Sequence, residues 1–154
     1  MNAPDLMTRV SVREATAEDL RAVLELYAQE GMDEGRVLSL EDAEAIFDQM
    51  RAYPDYRLYV AEIDGRVVGT FTLLVMRNLI HMGAASALVE AVGVDAGMRS
   101  QGIGRAMMEQ ARLLCRARGC YKMALSSNLR RSRAHEFYDG LGFERHGYSF
   151  QVSP

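Results

Sequence analysis

The chain is poor in the residues that mark several functional classes. It has two cysteines, Cys115 and Cys120, among 154 residues. Their C-x4-C spacing is neither a redox C-x-x-C nor half of a zinc site with visible partners, so both read as reduced, buried thiols. The histidines, His81, His135 and His146, are scattered without metal-ligand spacing, and no bound metal is expected. No apolar run reaches the roughly 18 residues that span a bilayer, so no membrane association is expected. Met1–Met7 has neither the basic n-region nor the apolar h-region of a signal peptide, which points to the cytoplasm. A net charge of −3 lacks the basic bias of a nucleic-acid-binding chain. There is no internal repeat and no low-complexity segment.

What is present suits one soluble α/β domain over residues 9–154, after a loose tail over 1–8. Arg9–Glu14 alternates apolar and polar residues, as a half-buried strand does. Thr16 precedes the acidic pair Glu18 and Asp19, a helix N-terminus, and Leu20, Val23, Leu24 and Tyr27 form an apolar stripe that Gly31 would end. A second helix is predicted from Ser39, with Ala43, Ile46, Phe47 and Met50 inward. Tyr56–Ile63 and Val67–Val75 read as strands joined by an Asp64-Gly65 hairpin turn. Arg77–Ala85 reads as a loop and Ser86–Val94 as a strand. Gln101–Arg118 reads as a helix with Ile103, Met107 and Leu114 inward and Arg112, Arg116 and Arg118 outward. Cys120–Ser126 is a short strand, Ser132–Leu141 a last helix, and Phe143–Arg145 and Tyr148–Val152 two closing strands. The order is βααβββαβαββ, with antiparallel pairing in the first half and a βαβ crossover in the second.

The segment Val92-Gly93-Val94-Asp95-Ala96-Gly97-Met98-Arg99-Ser100-Gln101-Gly102-Ile103-Gly104-Arg105 runs from strand through loop into helix. Such a junction suits an anion, because the first N–H groups of a helix lack internal partners and carry the positive end of its dipole. Gly102 and Gly104 permit close approach of a phosphate, and Arg99 and Arg105 add charge. Gly97-x4-Gly102 has P-loop glycine spacing, but Ile103-Gly104 stands where Lys and Ser or Thr are required. Gly102-x-Gly104 begins a dinucleotide fingerprint, but Met107 replaces its third glycine. A plain glycine-rich turn is the alternative.

Arg99-x-x-Gly102-x-Gly104 resembles the pyrophosphate loop, R/Q-x-x-G-x-G/A, of the GNAT acetyltransferase superfamily. Downstream, Ala134, Phe137, Tyr138, Gly142 and Phe143 match that family's A-x-x-F-Y-x-x-x-G-F signature, and the resemblance covers nearly the whole chain. It implies the GNAT fold: a mixed, mostly antiparallel seven-stranded sheet with about four helices. It implies acetyl-CoA as cosubstrate, with pantetheine lying along the strand that ends in Val92, Gly93 and Val94. A backbone N–H near Val92 would meet the thioester carbonyl, and the pyrophosphate would sit on Arg99, Ser100, Gln101, Gly102, Ile103, Gly104 and Arg105.

The chemistry needs an amine stripped of its proton and a leaving thiolate that gains one. Glu90 interrupts the apolar run Ala87–Val94, where a carboxylate is costly unless paired or open to a cleft. The family often carries an acid here, so Glu90 is the candidate general base; a Glu on a polar face is the alternative. The resemblance makes Tyr138 the general acid, against a core aromatic, and Asn128 a contact to the pantetheine amides, against a turn residue. His135 reads as a surface or cofactor-rim residue. His81 reads as a solvated loop residue that could also touch substrate.

Leu125-Ser126-Ser127-Asn128, His135-Glu136-Phe137-Tyr138 and Tyr148-Ser149-Phe150 resemble the aminoalkylphosphonate N-acetyltransferases, which implies a small amine bearing an acidic group. Tyr27, Met32, Tyr53 and Tyr148 are candidate acceptor-pocket residues. Arg130, Arg131 and Arg133 form a basic patch suited to a coenzyme phosphate, an anionic acceptor or simply solvent. The resemblance also suggests a homodimer. The alternatives are a protein or peptide N-acetyltransferase and a non-catalytic acetyl-CoA sensor.

Overall fold

Both faces of the central sheet are covered, and this explains why its middle strands lack the simple alternation of a half-buried strand. A computed structural model describes residues 9–154; the expected tail over 1–8 lies outside the described residues. The chain divides into two compact units, Met1–Ala124 and Leu125–Pro154.

In the first unit, β1 (Ser11–Glu14) leads through a single 3-10 turn into α1 (Leu20–Tyr27), and α2 (Leu40–Ala52) follows. The meander β2 (Tyr56–Ile63), β3 (Arg66–Met76) and β4 (Ala85–Val94) comes next, then α3 (Ile103–Ala117) and β5 (Cys120–Ala124). Strand order across the sheet is β1-β2-β3-β4-β5. Neighbours are antiparallel except β4 and β5, which are parallel across the α3 crossover.

Local chemistry explains the element ends. The Thr16–Asp19 capping box starts the first helical segment. The Ser39 hydroxyl accepts from the Asp42 N–H at 3.1 Å and starts α2. Asp64 and Gly65 both take positive φ, 50° and 79°, in the two-residue turn between Ile63 and Arg66. α1 ends at Tyr27, short of Gly31, and the chain then folds on itself in a knot of turns: Asp33 N–H donates to the Tyr27 carbonyl and Gly35 N–H to that of Ala28.

One sheet face holds Ala15, Leu20, Val23, Phe47, Leu58 and Val60 as a buried cluster under α1 and α2. The other takes α3, with Ile103, Met107 and Met108 at most 1% exposed. Gly69 on β3 makes the α3 contact possible: a Cβ there would lie 2.7 Å from Met107 Sδ and 3.3 Å from Ile103 Cγ2. On α2, Ala43 and Phe47 are buried as expected, whereas Ile46 is exposed. Arg118, expected outward, is instead half-buried and donates through Nε to Asp55 Oδ1 at 3.2 Å. Leu114, expected inward, is half-buried. Cys115 is buried, its thiol pushed up to about 12 chiefly by burial; Cys120 is half-buried, and both are free.

In the second unit, α4 (Ser132–Gly140) ends in a Schellman cap. Gly142, at φ 88°, donates to the Asp139 carbonyl, and Phe143 N–H donates to that of Tyr138.

The expected seven-stranded sheet is corrected to five strands among the described residues. Phe143–Arg145 and Tyr148–Val152 form no strand, and Tyr148, Phe150 and Val152 are about nine-tenths exposed. Their alternating pattern supplies a strand-like face, but a strand also needs a paired edge for its backbone groups, and none pairs with them.

Candidate functional site

β3 and β4 fall out of one-to-one register at one place. Thr72 pairs with Glu90 and Thr70 with Gly93, so Phe71 alone faces both Ala91 and Val92. This is a β-bulge, and Ala91 takes φ 50° to make it. The bulge removes backbone groups of β4 from the ladder at the place expected to face a thioester carbonyl. Immediately before it, β5 stops: its pairing ends at Leu88 opposite Ala124. From Val89 to Val94 no described strand pairs with that side of β4.

Glu90 lies at the edge of the bulge. Its side chain is exposed, so the carboxylate placed in an apolar run is solvated rather than buried. Its carbonyl accepts from Thr72 Oγ1 at 3.1 Å. Val92 and Val94 are half-buried and Gly93 is buried.

Beyond Val94, the Asp95 carboxylate accepts from the Gly97 N–H at 2.9 Å and from Arg66 at 2.5 Å, capping a 3-10 turn over Ala96–Met98. Arg99 is extended and exposed. Ser100 and Gly102 both take positive φ, 62° and 88°, and turn the chain into α3. The first intrahelical bond of α3 runs from Ala106 N–H to the Gly102 carbonyl. The N–H groups of Ile103, Gly104 and Arg105 therefore precede the helical ladder and point out of its end. No acidic residue sits in this first turn, and neither Arg99 nor Arg105 has a carboxylate partner among the described residues. Gln101 and Gly104 are half-buried, and buried Ile103 anchors the turn to the sheet. The arrangement offers free donors, two free guanidiniums and the positive end of a helix, which suits a pyrophosphate.

In the second unit, the Asn128 side chain accepts from Arg130 N–H at 2.9 Å, and its carbonyl accepts from His135 Nε2–H at 2.8 Å. These bonds make Asn128 and His135 the brace of the turn into α4. The Tyr138 ring packs edge-on between Phe137 and Phe143, at centroid distances of 5.1 and 5.4 Å. Burial pushes the Tyr138 phenol above its usual value, with Arg131 opposing weakly. Arg130, Arg131 and Arg133 are exposed.

The suggested acceptor residues are Tyr27, Met32, Tyr53 and Tyr148. An apolar pocket of about 260 Å3 is lined by Arg21, Leu24, Glu25, Ala28, Val37, Leu38 and Leu40, none of them in the expected set. Tyr27 is instead held against Thr70, its phenol pushed up to about 12, chiefly by burial. Met32 Sδ packs on Gly93, where a Cβ would come within 2.9 Å of it. Tyr53 and Tyr148 are exposed at 61% and 89%. His81 is exposed, with its ring 4.3 Å from that of Tyr121. Among the described residues no three His, Cys, Asp or Glu side chains group as metal ligands, and no helix is long and apolar enough to cross a membrane.

Sequence reasoning missed Gln29, whose side chain reaches the strand-to-loop junction at Val94 and Ala96. Nothing in the local sequence marks it, since a Gln just past a helix end is ordinary.

A protein of Trypanosoma brucei brucei named glucosamine 6-phosphate N-acetyltransferase is 31% identical over 90 residues, 58% of this chain and 59% of that protein. That match takes in less than two thirds of the relative's length. The aminoalkylphosphonate N-acetyltransferase of Salmonella typhimurium is 29% identical over 146 residues, 95% of this chain and 92% of that one. A solved structure named as a transcriptional regulator from Bacillus halodurans C-125 superposes with a TM-score of 0.86 at 25% identity, covering 94% of this chain and 99% of that one. The model of the Acetyltransferase (GNAT) family matches residues 17–143, which takes in the bulge, the loop and α4, and the chain belongs to that family.

Proposed function

We propose that the protein is an N-acetyltransferase that moves the acetyl group of acetyl-CoA to the primary amine of a small molecule bearing an anionic group. The observation that carries this is the β4 bulge placed beside an unpaired strand edge and followed by a loop of free donors at the α3 N-terminus. The donors of Ile103–Arg105 with Arg99 and Arg105 fit a pyrophosphate. The open edge of Val89–Val94 fits an amide-bearing arm that pairs like a strand.

Acetyl-CoA supplies an activated thioester. The backbone at Val92, released from the ladder, is the donor for the carbonyl oxygen as negative charge builds on it. Glu90, solvated at the edge of the bulge, accepts the ammonium proton directly or through water. An aliphatic amine titrates near ~10 and arrives charged, so the attack requires that transfer. Tyr138, with its phenol raised by burial, keeps its proton at neutral pH and donates it to the departing sulfur.

The acceptor class rests on two relatives. One is named for glucosamine 6-phosphate and the other for aminoalkylphosphonates, and both substrates join a primary amine to a phosphorus oxyanion. The regulator named among the structural matches favours a second reading, an acetyl-CoA-binding module without turnover.

The test is thiol release from acetyl-CoA, followed with Ellman's reagent against amino sugars, amino-sugar phosphates, aminoalkylphosphonates, polyamines, amino acids and peptides. Turnover with a phosphorylated or phosphonylated amine supports the proposal. Turnover with peptides alone replaces the acceptor class. Calorimetric binding of acetyl-CoA with no turnover on any acceptor favours the binding module, and absence of binding overturns both readings.

A further inference from the structure

The Gln29 side chain makes three hydrogen bonds. Its Nε2 donates to the Leu26 carbonyl at 3.0 Å and to the Val94 carbonyl at 3.1 Å, and its Oε1 accepts from the Ala96 N–H at 2.6 Å. The partners fix the amide orientation, because a flipped amide would set its oxygen against two carbonyls and its NH2 against an N–H. Gln29 thus closes a bridge between the end of α1 and the two residues that flank Asp95, where β4 becomes the loop.

The bridge stands on a rigid base. Met32 N–H donates to the Gln29 carbonyl, and the bonds from Asp33 to Tyr27 and from Gly35 to Ala28 fold the rest of the turn around it. The same knot places Met32 Sδ directly on Gly93. The opposite side of the junction is held by Asp95 N–H donating to the Val68 carbonyl, and by Arg66 on the Asp95 carboxylate. Between these supports, residues 93–97 are held from both sides, ahead of the exposed Arg99 and Ser100. The direction in which the loop leaves β4 is therefore set at Val94 and Ala96, and among the described residues Gln29 is the one side chain bonded to both.

We infer that Gln29 is a positioning residue for coenzyme binding: it aims the Asp95–Arg105 loop so that the α3 N–H groups and the arginines converge on one anion. This rests on the reading of that loop as the pyrophosphate site. Gln29 touches no reacting atom, so its removal should weaken coenzyme binding and leave the chemical step intact.

The experiment compares wild type with Gln29→Met, which keeps the shape and removes all three bonds. It also uses Gln29→Glu, which keeps an acceptor for Ala96 but removes the donor and adds a negative charge beside the site. Acetyl-CoA binding by calorimetry, kcat and KM, thermal midpoints and amide exchange at Ala96 are measured. Gln29→Met is expected to raise the acetyl-CoA Kd and KM about tenfold, the scale of one or two neutral hydrogen bonds, with kcat within twofold and the thermal midpoint nearly unchanged. Gln29→Glu is expected to raise Kd further. In wild type, the Ala96 amide is expected to exchange slowly, a check that needs no variant. Wild-type affinity in both variants, a loss confined to kcat, or free exchange at Ala96 in wild type overturns the inference alone. Failure of wild type to bind acetyl-CoA overturns the loop assignment itself, and the inference with it.

Discussion

Arg13 grips Asp19 end-on: Nη1 donates to Oδ2 at 2.7 Å and Nη2 to Oδ1 at 2.8 Å, while the Thr16 backbone N–H also donates to Oδ2 at 2.7 Å. One carboxylate, 7% exposed, ties β1 to the start of α1. The Arg13 hydrogen bonds, with help from Thr16, hold its pKa below the ordinary 3.8. A depressed carboxylate stabilises the fold fully above its unfolded pKa and loses that effect as pH falls through the native value. Asp19→Ala is expected to cost about 2 kcal/mol in urea unfolding at pH 7, from the lost cap and charge-assisted bonds. The stability gap between wild type and Asp19→Asn should narrow as pH drops below 3.8. A gap unchanged down to acid pH would show that the ionised pair contributes nothing.

Glu90→Gln removes the proton acceptor and keeps the size. If Glu90 takes the ammonium proton, kcat/KM at pH 7 should fall by about a hundredfold, the usual scale of general base catalysis. The deficit should shrink toward pH 10, where solvent deprotonates the amine. A deficit constant with pH would assign Glu90 to substrate orientation instead.

Tyr138→Phe removes one oxygen from a ring already wedged between Phe137 and Phe143. The fold should tolerate it, and thermal melting should confirm this. Loss of the acid should lower kcat about a hundredfold with little change in acetyl-CoA affinity. Because burial raises the phenol, the alkaline limb of the wild-type rate profile should lie above the ordinary tyrosine value of 10.0. Equal kcat in wild type and Tyr138→Phe would return the residue to a packing role.

Two glycines carry different demands. Gly69→Ala sets a methyl against Met107 Sδ and Ile103, and is expected to cost about 1–3 kcal/mol in chemical denaturation. Gly102→Ala forces a side chain to φ 88° at the start of α3. Its expected cost is about 1–2 kcal/mol, accompanied by weaker acetyl-CoA binding, which Gly69→Ala should share far less. Equal loss of affinity in both would mean that α3 docking, not the loop, governs the coenzyme.

Much of this architecture was written locally. The Asp64-Gly65 turn, the Thr16 and Ser39 caps and the glycine at position 102 each depend on a few neighbouring residues, and all sit where the sequence places them. The signature Gly142-Phe143 has a physical reading too: it is the Schellman cap of α4, with Phe143 returning onto Tyr138.

What was not legible depends on partners far along the chain. The bulge at Ala91–Val92 arises from register against β3, and no residue there announces a positive φ. The Gln29 bridge spans more than sixty positions. The Tyr148–Val152 alternation predicts a face but cannot supply the neighbour that a strand requires. The candidate acceptor residues were chosen by chemical character, which says nothing of the contacts of Tyr27 with Thr70 and of Met32 with Gly93.

The strand order of the sheet also bears on how the protein is made. β2, β3 and β4 occupy one unbroken stretch, Tyr56–Val94, and each pairs with the strand before it. A chain leaving the ribosome can therefore assemble these three strands, bulge included, before α3 has emerged. The donors at Ile103–Arg105 gain their final direction only when α3 docks on Gly69 and β5 closes beside β4. The two halves of the proposed coenzyme site thus mature in sequence, and a chain whose α3 has yet to emerge would carry the bulge without the anchored helix end.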